Sequence, residues 1–91
     1  MITRVLRRGM RGDDVAEWQL FLIGQTFDPG TVDGAFGALT VEATIGFQKA
    51  HSLDADGVAG RNTINAAVAL KLYTNVNPDD WDETDGGRLP G

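Results

Sequence analysis

Cysteine is absent from this 91-residue chain, which excludes a disulfide framework, a thiolate metal site and a thiol nucleophile. Histidine occurs once, as His51 beside Ser52, with no second metal ligand at a useful spacing. A zinc peptidase or a serine triad would have to be built from almost nothing, and His51 reads as the end of a helix, where a cation is favoured. Positive charge is in deficit: 8 Lys and Arg against 13 Asp and Glu give a net charge of −5. That balance disfavours nucleic acid and anionic membrane, both of which demand basic patches. Long apolar runs are missing too, none approaching the ~20 residues of a membrane span. The basic first residues lead into Gly9, Gly12, Asp13 and Asp14 rather than an apolar stretch, so no secretion signal is read. Any export is expected from a parent protein, a removed signal or a lysis system.

What remains is an ordinary globular composition, 42% hydrophobic and 23% charged, enough for one domain that buries roughly two thirds of its unfolded surface. A compact core fits this size; a large buried active site does not. Charge is uneven. Arg4, Arg7, Arg8 and Arg11 gather near the start, while Asp79, Asp80, Asp82, Glu83 and Asp85 crowd the end. The arginines read as a solvated edge, with contact to an acidic ligand as the alternative.

Three amphipathic helices are predicted. The first follows Gly12-Asp13-Asp14, whose carboxylates suit a helix start. It carries Val15, Trp18, Phe21 and Leu22 at helical spacing and runs from about Asp14 to Ile23, stopping at Gly24. The second, about Ala38 to His51, places Ala43, Phe47 and Ala50 on one face, broadened by Leu39, Val41 and Ile45. The third, about Arg61 to Leu72, turns Ile64, Ala67, Val68 and Leu70 inward. Gly, Pro and Asp clusters at 28–34 and 52–57 punctuate the helices. The expected fold is all-α, a compact three-helix bundle over residues 1–73, followed by an irregular acidic tail or linker at 74–91. Trp81 in that tail docks back on the bundle or on a partner.

An internal repeat is the most informative feature. Asp33-Gly34-Ala35-Phe36-Gly37-Ala38-Leu39-Thr40 and Asp56-Gly57-Val58-Ala59-Gly60-Arg61-Asn62-Thr63 share the pattern DGxxGxxT just ahead of helices two and three. In each copy the aspartate can accept bonds from amides of the next turn, and the first glycine can take a backbone angle other residues resist. The second glycine can open the helix without a clashing side chain, and the threonine can bond the helix's first turn.

Gly9 to Val15 reads Gly-x-x-Gly-Asp-Asp-Val, and Trp18-Gln19, DGxxGxxT, Phe47-Gln48 and a second DGxxGxxT follow. The series resembles the peptidoglycan-binding domain of the three-helix type, over roughly Leu6 to Leu70. The resemblance implies a module that holds murein while a separate domain of a hydrolase or phage endolysin cuts it, acting as a monomer at the cell wall, in the periplasm or outside the cell, or encoded by a phage. Trp18 stands where that family usually carries leucine, and residues beyond Leu72 have no counterpart in it.

Murein offers sugar rings, amides and carboxylates, so candidate contacts are Asp33, Gly34, Asp56 and Gly57 in the loops, with Arg61 as a carboxylate partner. Phe36 and Trp18 are the aromatic candidates. Asp33 and Asp56 can equally pin their own turns, Phe36 can cap the bundle, and Gln19 and Gln48 can bond loop backbone or reach a groove. No catalytic residue, cofactor or metal ligand is assigned. An EF-hand reading of Asp54-x-Asp56-Gly57 puts Thr63 where a bidentate glutamate belongs, and in the first repeat Thr40. A protein-docking module on the same bundle is the alternative function. A DNA reader is disfavoured because helix three carries only Arg61 and Lys71.

Overall fold

The computed structural model describes Ile2 and residues 4–70. The acidic tail, Trp81 and the expected last turn of helix three beyond Leu70 lie outside the described residues. Three helices, α1 (Asp13–Gly24), α2 (Ala38–Ala50) and α3 (Arg61–Ala69), follow in chain order, and no strand occurs among the described residues. Each opens behind a glycine, Gly12, Gly37 or Gly60, without a side-chain cap.

The core takes Val15, Trp18 and Leu22 from α1, Ala43 and Phe47 from α2, and Ile64 and Ala67 from α3. Ile2, Leu6, Phe36 and Ala59 close it from the connecting segments. Phe47 is the centre of an aromatic cluster. Trp18 meets it edge-on at 5.7 Å, Phe21 at 5.3 Å and Phe27 at 6.2 Å, an arrangement that aligns ring edges with ring faces. Three expectations for the inner faces fail. Ala50 is exposed, and Leu39 keeps 55% of its surface in solvent. The inner face of α2 carries Thr40, Thr44 and Gln48 beside Ala43 and Phe47, because buried polar atoms here have partners. Leu70, 38% exposed, also falls short of the core.

The helix stops also differ from expectation. Gly24 is the last residue of α1 rather than its terminator, and the left-handed position is Thr26, with φ 71°. The Phe27 amide donates to the Leu22 carbonyl (2.8 Å) and the Thr26 amide to Ile23 (2.9 Å). These two bonds satisfy carbonyls of the last helical turn in the Schellman pattern. α2 ends the same way, with Ser52 at φ 59°, Leu53 donating to Gln48 (2.8 Å) and Ser52 to Lys49 (3.3 Å). A β-branched residue is strained in the left-handed region. Thr26→Gly is therefore expected to raise stability by about 1 kcal/mol, read as a higher urea midpoint at unchanged slope.

Residues 6–12 fasten both repeats. Leu6 and Ala59 exchange backbone bonds of 3.1 and 2.8 Å; farther on, Phe36 donates to Met10, Gly9 donates to Phe36 and Gly12 donates to Gly34, each at 2.9 Å. Of the arginine cluster, Arg4 reaches across to α1. Its Nε donates to Asp14 Oδ2 at 2.7 Å and its Nη2 to the Arg11 carbonyl at 2.8 Å.

Partial burial alone would raise the Asp14 pKa, but the Arg4 hydrogen bond and charge, with the Val15 amide, hold it below the ordinary aspartate value of 3.8. A lowered folded-state pKa contributes stability that is present above the unfolded value and is lost as pH falls through the folded one. Asp14→Asn is thus expected to flatten the loss of stability on acidification below about pH 4, measured by urea melts across pH 2–6.

Candidate functional site

The two repeats are built alike around a buried glutamine. Gln19, on α1 and 1% exposed, uses Nε2 to donate to Asp33 Oδ1 (3.3 Å), the Ala35 carbonyl (3.0 Å) and Thr40 Oγ1 (3.0 Å). Its Oε1 accepts from the amides of Asp33 (3.2 Å) and Gly34 (3.0 Å). Gln48, on α2 and equally buried, repeats the set. Nε2 donates to Asp56 Oδ1 (2.9 Å), the Val58 carbonyl (2.9 Å) and Thr63 Oγ1 (3.0 Å), and Oε1 accepts from the Gly57 amide (3.0 Å). One side chain, donor at one end and acceptor at the other, thereby satisfies a loop that would otherwise leave several polar groups buried without partners.

Asp33 and Asp56 also pin their own turns, accepting from the amides two residues on, Ala35 at 2.9 Å and Val58 at 3.0 Å. Gly34 and Gly57 take φ 75° and 76°, and a Cβ at Gly57 would stand 2.8 Å from Val41 Cγ1. The threonines do otherwise than expected. Instead of bonding the first helical turn, Thr40 and Thr63 accept from the glutamines. Gly37 is not demanded by crowding either, since a Cβ there meets nothing within 4 Å.

The sequence-predicted site residues separate. Trp18 is fully buried, and its Nε1 donates to Thr44 Oγ1 at 3.0 Å; Phe36 is 2% exposed. Both rings complete the core, so neither offers a stacking face at the surface. Gly57 is buried beneath Val41 and Ile45, Asp56 is exposed, and Arg61 is half-buried at the start of α3.

Around the first repeat the surface is open. Asp33 and Ala35 form a ridge between two depressions. One, of about 250 Å³, is lined by Gln19, Pro29, Thr31, Gly37, Leu39 and other residues at the start of α2. The other, of about 280 Å³, is lined by Arg11, Gly12, Asp13, Ala16 and Gly34. The Ala35 amide, then the Gln19 amide group, and more weakly the Arg11 charge keep the exposed Asp33 carboxylate below its ordinary pKa. The ridge is therefore an anion at neutral pH, flanked by backbone amides, small residues and one guanidinium. Such a surface can form hydrogen bonds with amides, hydroxyls and charged groups, and no metal-holding group of three His, Cys, Asp or Glu is found among the described residues. Sequence reasoning named Arg11 only within the arginine cluster and did not single out Pro29 or Thr31, which stand just ahead of the first repeat; folding brings Arg11 beside it.

A family model described as "Putative peptidoglycan binding domain" matches residues 11–67. The chain is 35% identical over 88 residues to a spore cortex-lytic enzyme of Bacillus cereus, covering 97% of this chain and 34% of that enzyme. It thus spans about a third of the length of that enzyme and smaller shares, down to 14%, of other curated relatives it matches. Among solved structures it is similar to the SleB N-terminal domain, with TM-score 0.72, 38% identity and coverage of 77% of this chain and 96% of that one. It is also similar to a Burkholderia AP3 phage endolysin, with TM-score 0.69 and 32% identity over 88% of this chain and 29% of the endolysin. With the family model spanning both repeats and α1 to α3, the chain belongs to the peptidoglycan-binding domain family.

Proposed function

We propose that this chain is a non-catalytic, monomeric module that binds peptidoglycan and brings an attached or associated cell-wall hydrolase to the murein, at the bacterial wall or in a phage lysis system. The match of residues 11–67 to the family carries this reading. The relatives' names support the partner: a cortex-lytic enzyme and an endolysin both carry a domain of this kind within a longer chain. Tethering raises the local concentration of a catalytic domain without a new catalytic contact.

Within the module we assign binding to the first repeat. Asp33 and Gly34 stand between the two depressions, with Arg11 and Thr31 at their rims. On this reading the second repeat serves the fold: Gly57 is buried beneath Val41 and Ile45, and Asp56 accepts from Val58 and Gln48 within its own loop. Co-sedimentation with purified insoluble murein tests the function. The folded chain is expected to pellet with the sacculi and to release no soluble sugar or peptide; a folded chain that stays in the supernatant contradicts it.

A second reading, docking of a partner protein, is favoured by one observation. Leu20 and Ile23, one turn apart on α1, keep 58% and 47% of their surface in solvent. Ile23 also borders a depression formed with Thr26, Phe27 and Asp28. Failure to pellet with murein, combined with loss of a hydrolase's association in a Leu20→Ser, Ile23→Ser variant, would select this reading.

A further inference from the structure

Both repeats begin with Asp-Gly, the dipeptide with least steric protection against backbone rearrangement, because glycine has no side chain to shield its amide nitrogen. In that rearrangement the glycine nitrogen loses its proton and bonds to the aspartate Cγ. The protonated side-chain carboxyl expels one oxygen as water, and a succinimide forms. Water then adds to either ring carbonyl. Opening at the side-chain carbonyl restores aspartate, whereas opening at the α-carbonyl leaves isoaspartate, with the main chain rerouted through Cβ and lengthened by one carbon. Only water is needed besides the chain itself.

In this fold each participant is otherwise engaged. The Gly34 amide donates to Gln19 Oε1 and the Gly57 amide to Gln48 Oε1, both at 3.0 Å, so each nucleophile is directed at a glutamine oxygen. The carboxylates are held at the same time. Asp33 Oδ1 accepts from Ala35 and from Gln19 Nε2, and Asp56 Oδ1 accepts from Val58 and from Gln48 Nε2. We propose that Asp33-Gly34 and Asp56-Gly57 are latent isoaspartate sites, each kept shut by its own buried glutamine. The two clamps are independent, since Gln19 bonds only the first loop and Gln48 only the second among the described contacts. The lowered Asp33 pKa acts in the same direction, keeping the first carboxyl in the ionised form, whose oxygen is the poorer leaving group.

The test ages the chain at neutral pH and 37 °C and counts isoaspartate at each bond by peptide mass spectrometry with electron-transfer fragmentation. Folded wild type is expected to accumulate isoaspartate at residues 33 and 56 at least roughly tenfold more slowly than the same chain in urea, as fits closure that requires breaking buried bonds. Gln19→Met, aged where circular dichroism shows wild-type helix content, is expected to speed the reaction at Asp33 by roughly tenfold while Asp56 keeps its wild-type rate. Thr40→Val, which leaves Gln19 present but removes one acceptor that holds it, is expected to give a smaller rise with the same selectivity, and it serves where Gln19→Met does not fold. Equal rates in folded and urea-treated wild type overturn the proposal. So does a folded variant that raises both bonds together, or neither.

Discussion

Trp18→Ala is expected to unfold the domain at 25 °C. Trp18 is fully buried, stacks on Phe21 at 5.3 Å and meets Phe47 edge-on. Truncating a buried tryptophan to alanine costs about 3–5 kcal/mol through lost transfer energy and the cavity left behind. A core of this size supplies only about 3–5 kcal/mol of net stability, so the loss consumes all of it. The Thr44 hydroxyl that accepts from the indole also donates to the Thr40 carbonyl at 2.7 Å, so the penalty comes from the cavity rather than from an orphaned hydroxyl. Trp18→Leu separates the two contributions. Leucine fills part of the space, and the variant is expected to fold with a lower melting temperature by circular dichroism.

Gln48→Leu is expected to cost about 3 kcal/mol despite its near-equal volume. The substitution leaves the Gly57 amide, the Val58 carbonyl and the Thr63 hydroxyl without the partner each now has. A buried polar group stripped of its partner costs about 1–3 kcal/mol, and partial rehydration at the loop's edge brings the sum of three down. Gln48→Glu keeps the acceptor for Gly57 but sets a buried carboxylate against the Asp56 carboxylate and the Val58 carbonyl, so at neutral pH it should cost at least as much as leucine. Urea titration measures both. A leucine variant as stable as wild type would mean that the glutamine contributes volume alone.

The same glutamines show where the sequence could and could not be read. Four residue types at fixed spacing made DGxxGxxT visible, and α2 and α3 begin at Ala38 and Arg61, just behind its second glycine. Apolar periodicity located Val15, Trp18, Leu22, Phe47, Ile64 and Ala67 in the core. It misassigned Ala50 and Leu39, because apolar counting cannot foresee that Thr40, Thr44 and Gln48 occupy the inner face of α2. Polar side chains bury when partners are fixed by loops distant in sequence, and Gln19 meets Thr40 across 21 residues. A signal was nonetheless present: an aromatic-Gln pair precedes each repeat, as Trp18-Gln19 and Phe47-Gln48. The stop of α1 was placed at Gly24 because glycine ordinarily takes the left-handed position. Thr26 takes it here, and the paired bonds from Phe27 and Thr26 hold it there.

At the candidate site, Asp33 and Gly34 were legible because they belong to the repeat. Trp18 and Phe36 were chosen as aromatic faces, yet a domain this small uses its bulkiest rings to fill the interior, and both are buried. Arg11 could not be tied to Asp33 by sequence. It arrives through the backbone ladder of residues 6–12, of which the Gly12 amide to Gly34 carbonyl bond, 2.9 Å, is the nearest rung. Such a segment shows no periodicity, since its pairing is to loops rather than to another strand.

Amide chemical shifts during titration with soluble murein fragments test most directly whether the first loop meets the wall polymer. The account predicts dose-dependent shifts at Thr31, Asp33, Gly34 and Ala35 and at Arg11 and Gly12, with Asp56, Gly57 and the α3 amides unmoved. A spectrum of folded protein that stays unchanged at saturating fragment, or one that moves around Asp56 and Arg61 alone, would contradict it.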